Sequence, residues 1–180
     1  MFHDRHLWKN VTAMLEHNVD RHHARVVKNW LIRSYVDKQC SAIRRLNDGV
    51  GDPASIRRCL RELIKRPRLL TRIRYEQLAA VSAAANGIED VVLHARGFSG
   101  YNEFADTTSD HLDSARVWTD LDTLEAATAS VKTYTDKRVA HLDFMADLSA
   151  IPLTFGDLDN AIDAVGGLTR KYYQLRHQHQ

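Results

Sequence analysis

The sequence predicts an all-α fold, an up-and-down bundle of about five to six helices in one domain spanning residues 1–180. Three observations carry that expectation. Only three prolines and eight glycines punctuate 180 residues, and neither residue type occurs before Gly49. Apolar residues recur at helical spacing in most segments, and no segment alternates apolar and polar residues as a half-buried strand does. A chain of this length can also bury a core that needs neither metal nor disulfide.

The first forty-eight residues read as two helices in series. Leu7, Val11, Met14 and Leu15 trace one apolar stripe, and Val26, Val27, Trp30, Leu31, Val36 and Ile43 trace a broader one. The polar run from Glu16 to His23 separates them, with Asn18 or Asp20 as the second cap. Asn47 to Pro53 is a break, because Gly49 and Gly51 permit positive φ and Asp52-Pro53 supplies an N-cap followed by proline at the first helical position. The helix that follows sets Ile56, Cys59, Leu60, Leu63 and Ile64 against a back of Arg57, Arg58, Arg61 and Lys65, and Arg66-Pro67 ends it. Leu69 to Ala85 reads as a further helix that stops near Asn86-Gly87. Around Gly97 and Gly100 the helical signal fails, which marks 96–108 as a candidate mobile loop with a role in binding. Asp110 to Asp143 reads as one long helix or two joined near Thr119, and Asp157 to His177 as the last, capped by Thr154 or Gly156.

Composition narrows the function classes. No stretch approaches the ~20 apolar residues of a membrane span, and the amino terminus is too polar for a signal peptide. Cys40 and Cys59 lack a CxxC partner and read as reduced helical thiols. The expectation is a cytoplasmic protein with no membrane contact. Net charge is only +2, but it is unevenly spread. From Arg57 to Arg74 eight basic residues face the single acid Glu62; from Glu103 to Glu125 seven acids face Arg116 alone. Arg57, Arg58, Arg61, Lys65, Arg66 and Arg68 are therefore candidates to track an RNA backbone, with Tyr75 as a stacking ring. The bland alternative is a solvated face that pairs with the acidic segment, within one molecule or across a dimer. His3, Asp4 and His6, with His17, His22 and His23 nearby, lack the spacing of a closed metal site, so neither metal nor cofactor is expected. Trp8, Trp30 and Trp118 read as core or interface anchors.

The most informative stretch is Tyr134 to Asp143, which sets His141 among Lys137, Arg138, Asp136 and Asp143. On a continuous helix Tyr134, Lys137 and Arg138 share the face of His141, while Leu124, Thr128, Val131, Thr135, Val139 and Leu142 form the packing stripe. An imidazole with a pKa near ~6.5 serves as acid or base at neutral pH, and two adjacent cations favour its neutral form. Lys137 and Arg138 would hold a phosphate. The plainer reading is a solvated ion cluster in which Asp136 and Asp143 pair with these cations.

Asp136-Lys-Arg-Val-Ala-His-Leu-Asp143 resembles the Asp-Lys-x-x-Ala-His-x-Asp element of HEPN-like helical proteins of the abortive-infection defence group. Trp30 with Tyr35-Val-Asp-Lys-Gln and Ala42-Ile-Arg-Arg-Leu-Asn-Asp is similar to that group's second helix. Pro152 to Asp163 is similar to its last connection and helix. The resemblance implies a two-fold helical dimer, phage defence, and in many relatives a metal-independent ribonuclease with an arginine a few residues before the histidine. His141 carries over as the candidate acid/base. The arginine that precedes Asp-Lys in the group is Thr135 here, so Arg138 or Lys137 would take its place. The competing expectation is a non-catalytic dimeric interaction or RNA-binding module, and either would accommodate a cognate regulator.

Overall fold

The computed structural model describes residues 2–16, 22–48, 55–77, 100–139 and 153–173. These are all-α. Among the described residues there is no strand, only an isolated antiparallel bridge between Thr71 and His111. In chain order the helices with both ends among the described residues are α1 (Phe2–Glu16), α2 (His22–Leu46), α3 (Ile56–Lys65), α4 (Ser114–Tyr134) and α5 (Phe155–Tyr173), and residues 72–77 are helical as well. A 3₁₀ turn, Pro67–Leu69, follows α3, and a π-helical turn, Thr135–Val139, continues α4. No described helix is long and apolar enough to cross a membrane. The chain divides into two compact units: Met1–Asn47 with Ala126–Val165, and Asp48–Glu125 with Gly166–Gln180.

In the first unit neighbouring helices run antiparallel, and long-range polar contacts fix their register. Lys38 reaches Asp4 at 3.1 Å and Lys28 reaches Glu16 at 3.9 Å, which sets α1 against α2 in opposite directions. Arg5 meets Asp163 at 2.7 Å, and Trp8 stacks on Tyr35 at 4.8 Å and on Phe155 at 6.1 Å, which sets α5 antiparallel to α1. The buried stripe of α2 is Tyr35, Gln39, Cys40 and Ile43, continued by Asn47 in the turn that follows it. It differs from the expected one. Val26, Val27 and Trp30 are exposed, as are Leu7 and Met14 on α1, because α1 and α2 meet through Asp4, Trp8 and Tyr35 instead. The Asn47 side chain donates to Thr128 Oγ1 at 2.6 Å, a buried polar pair that apolar periodicity does not register. Cys40 is fully buried, and desolvation with the nearby Asp37 pushes its thiol up to about 12.

In the second unit α3 begins three residues after Pro53, with Ser55 rather than Asp52 as its cap; Ser55 Oγ accepts from the Arg58 N–H at 3.3 Å. It buries Ile56, Leu60 and Leu63, leaves Cys59 exposed, and stops at Arg66 as Pro67 requires. Burying each leucine contributes roughly 1.5–3 kcal/mol before side-chain entropy is subtracted. The described part of the expected loop, 100–108, is packed: Tyr101, Phe104 and Ala105 are buried, and Tyr101 Oη donates to the Leu70 carbonyl at 3.0 Å. Gly100 is needed there, because a Cβ would stand 2.7 Å from the Tyr75 hydroxyl. Residues 78–99, which hold the rest of the expected helix and loop, lie outside the described residues. Continuous through Thr119, α4 starts at Ser114, directly after Asp113, whose carboxylate accepts from the Ala115 N–H at 2.9 Å. Thr154 caps α5 with Asp157 in a reciprocal box: the Asp157 N–H donates to Thr154 Oγ1 at 3.1 Å, and the Thr154 N–H donates to Asp157 Oδ2 at 2.9 Å.

Candidate functional site

Two groups of predicted residues fall in different units and are taken in turn. The first belongs to the end of α4. Val131, Tyr134 and Thr135 are all buried there, and the helix then widens by one residue into the π turn. A π turn delays the following residues by roughly one position, ~100° of rotation on a 3.6-residue helix, and such turns recur at functional sites. The face that Tyr134 was expected to share with an open His141 is closed at Tyr134 itself. Its hydroxyl donates to Asp37 Oδ1 of α2 at 2.6 Å. Seven residues along the same face of α2, Arg44 meets Asp136 at 3.0 Å. Asp136 is therefore tied to α2.

Thr135 carries its own account. It is 0% exposed, and its hydroxyl donates to the carbonyls of Val131 at 3.0 Å and Lys132 at 2.9 Å. Threonine fits such a place because back-bonding to the preceding turn satisfies its one donor. A guanidinium there would need five donors satisfied in the core. Lys137 is exposed and Arg138 lies in the π turn, whereas His141 lies outside the described residues.

The second group is the basic strip. Arg57 is engaged: its guanidinium bonds Glu125 of α4, which Arg61 also approaches at 3.9 Å. Lys65 pairs with Glu62 one turn back at 3.2 Å. Arg72 is buried, stacked 4.6 Å over the Tyr101 ring and donating to Asn102 Oδ1 at 3.3 Å and the Asp106 carbonyl at 2.8 Å. Arg116 likewise ties the acidic segment to itself, meeting Asp106 at 2.6 Å. Part of the basic charge thus neutralises the acidic third within the unit. Arg58, Arg61, Lys65, Arg66, Arg68 and Arg74 remain on the surface. Tyr75 is not available for stacking, being buried against Tyr101 and Phe104, both at 5.6 Å.

Sequence reasoning missed two features of this unit. Asp120 of α4 accepts from both Lys171 Nζ and Tyr172 Oη at 2.6 Å, a half-buried triad whose signal, three residue types fifty positions apart, no local pattern carries. Trp118, expected as an anchor, is 50% exposed on the stretch of α4 that faces α3. Its place was readable from Ser114, Trp118 and Glu125, which recur at four and seven residues and so share a face. Among the described residues no three His, Cys, Asp or Glu side chains are grouped to hold a metal; Asp4 is turned to Lys38.

Compared with known proteins, residues 1–178 match the HEPN family model described as AbiU2. No curated protein matches the chain. No solved structure does either.

Proposed function

Since this chain belongs to the AbiU2 family of HEPN-like abortive-infection proteins, we propose that it binds RNA and cleaves it without a metal cofactor. The observation that carries the binding half is the set of exposed cations on consecutive elements: Arg58, Arg61 and Lys65 on α3, Arg66 and Arg68 on the turn after it. Arg58, Arg61 and Lys65 lie three and seven residues apart on one helix face, so they present a single ridge to phosphates. Arg57, bound to Glu125, supports that ridge from behind.

The cleaving half rests on the family and on the residue types of the decapeptide. RNA carries its own nucleophile. His141 takes the proton of a 2′-hydroxyl, the 2′-oxygen attacks the adjacent phosphorus, and the bond to the 5′-oxygen breaks as that oxygen gains a proton from water, His141 returning its own to solvent. The products are a 2′,3′-cyclic phosphate and a free 5′-hydroxyl. Lys137 and Arg138 steady the charge that grows on the phosphoryl oxygens. The protein acts in the cytoplasm as a homodimer, and a cognate regulator would restrain it. The exposed Leu7, Met14, Val27 and Trp30 of α1 and α2 supply apolar surface for the second copy.

The test is cleavage of RNA by the wild type and by His141→Ala in excess chelator. Loss of a cyclic-phosphate product in the variant, with the helical signal of the wild type retained, is the expected result. Equal rates in both proteins would remove His141 from the chemistry and leave a binding module, the second reading, which the burial of Thr135 at the family's arginine position favours.

A further inference from the structure

We infer that Trp118 is a base-stacking platform, so that the RNA crossing the α3–α4 seam is single-stranded there. This rests on the RNA-binding reading above and names its substrate class. Two contacts fix the seam. Ser114 Oγ lies 3.5 Å from the Ile64 carbonyl, and Glu125 takes Arg57 and Arg61. They set α3 antiparallel to the first turns of α4. Trp118 falls between them on the same face of α4, at the level of Arg61.

An indole placed between two helices would normally be consumed by packing, yet half of this one is exposed. Beside it α3 exposes Arg58 and Lys65, with Arg61 half-exposed at the seam itself, 3.9 Å from Glu125. A cationic ridge next to an exposed aromatic is what single-stranded nucleic acid requires, because the backbone follows the charge while one base lies on the ring. The other strongly exposed indole differs in its setting: Trp30 sits with the exposed Val26 and Val27, an apolar patch suited to protein. On the α4 side of Trp118 the exposed Asp122 repels phosphate, so the strand runs along α3. Tyr75, Tyr101, Phe104 and Tyr172 are buried, so among the Phe, Tyr and Trp rings whose burial is described in this unit Trp118 is the exposed one.

The experiment uses the full chain and two probes of about 12 nucleotides, both 2′-O-methylated to prevent cleavage: one single-stranded, one a hairpin duplex. Trp118→Ala is expected to weaken the single strand roughly 5- to 150-fold, the range for one stacked base. Trp118→Phe should retain most of the affinity. Duplex affinity should not move, nor should the slope of log K against log salt, which counts phosphates. Arg58→Ala/Arg61→Ala should weaken both probes and flatten that slope. If the arginine variant weakens binding and Trp118→Ala does not, RNA binding stands and the platform is overturned. If the wild type binds neither probe, both readings fall. If Trp118→Ala lowers self-association in sedimentation and leaves RNA affinity alone, Trp118 is a protein contact and the inference is overturned.

Discussion

Tyr134 donates its hydroxyl proton to Asp37 at 2.6 Å, joining two helices across 97 residues of chain, and the π turn begins at the next residue. The bond fixes α4 against α2 at the point where the decapeptide leaves regular helix. Tyr134→Phe removes the donor and leaves the ring in place. We expect a loss of about 1.5–3 kcal/mol in urea unfolding, the range for a hydrogen bond to a charged acceptor. An unchanged midpoint would show that Asp37 does not hold α4.

Asp120 is predicted to be the main polar anchor of the second unit. It gathers Lys171 and Tyr172, and all three side chains are largely covered. Asp120→Asn leaves the Lys171 charge without its carboxylate and should cost about 2 kcal/mol, less than a fully buried pair because part of the lysine is solvated. Burial first, and then the bond to Asp120, holds the Tyr172 hydroxyl far above its ordinary value of 10.0. In the unfolded chain that hydroxyl ionises at its ordinary value, whereas the folded state keeps it protonated. Its stabilisation is therefore complete below pH ~10 and lost as pH rises further. Burial raises Tyr35, Tyr75 and Tyr101 as well, so the informative quantity is a difference. Tyr172→Phe should be less stable than wild type at neutral pH, with the gap closing above pH ~10.

At the acid end the cap of α5 gives the opposite sign. Backbone and side-chain bonds from Thr154 hold the Asp157 carboxyl below its ordinary 3.8. A depressed carboxyl stabilises above its unfolded value and loses that contribution as pH falls through the folded one. Thr154→Ala should cost about 1 kcal/mol at neutral pH. Its deficit should then shrink in thermal melts below pH ~4. A deficit that stays constant to low pH would separate the threonine cap from the carboxylate.

Gly100 is predicted to tolerate no methyl group cheaply. The clash is with Tyr75, whose ring is wedged between Tyr101 and Phe104 and cannot swing aside. Gly100→Ala should cost about 1–3 kcal/mol, the usual range for overpacking. Gly167, with open space where a Cβ would be, is the matched control, and Gly167→Ala in mid-helix should be neutral or stabilising.

Neighbouring arginines should behave as opposites. Arg57→Ala strips Glu125 of its partner and should lower the melting temperature more than it lowers RNA affinity. Arg58→Ala should leave stability within about 0.5 kcal/mol and reduce the salt slope by about one phosphate. Identical RNA-binding losses with no difference in melting would refute that division of labour.

The helices were readable wherever one face alone is apolar. The spacing of Ile56, Leu60 and Leu63 located α3. Of the two caps expected for the last helix, Thr154 or Gly156, Thr154 is the one used, and α5 starts at Phe155, two residues before the expected Asp157. The α2 stripe was misread because that helix is apolar on two sides: Val26, Val27 and Trp30 satisfy a helical period as well as Tyr35 and Ile43 do. What decides between the sides is Gln39 and Asn47, polar residues admitted to the core by Asp4 and Thr128, partners 35 and 81 residues away. The π turn has no composition signal, since it is a property of how Tyr134 and Asp136 are held by α2. The basic strip showed its charge in sequence but not its allegiance, because Glu125 lies 68 residues from Arg57. Trp118 was noticed as an anchor and only its exposure gave it another use.

The first unit is made of two stretches that the ribosome delivers far apart in time. At about 5–20 residues per second, Tyr134 emerges roughly 5–20 s after Asp37, and Asp159 and Asp163 follow later still for Arg5. During that interval α1 and α2 exist as a nascent hairpin that shows water both its inner stripe, Tyr35, Cys40 and Ile43, and its outer residues Val27 and Trp30. Arg57 and Glu125 are delivered within the same wait, so the intervening segment has the chance to fold first. Synthesis therefore places this protein's greatest exposure to misassembly in the window between its second helix and its fourth.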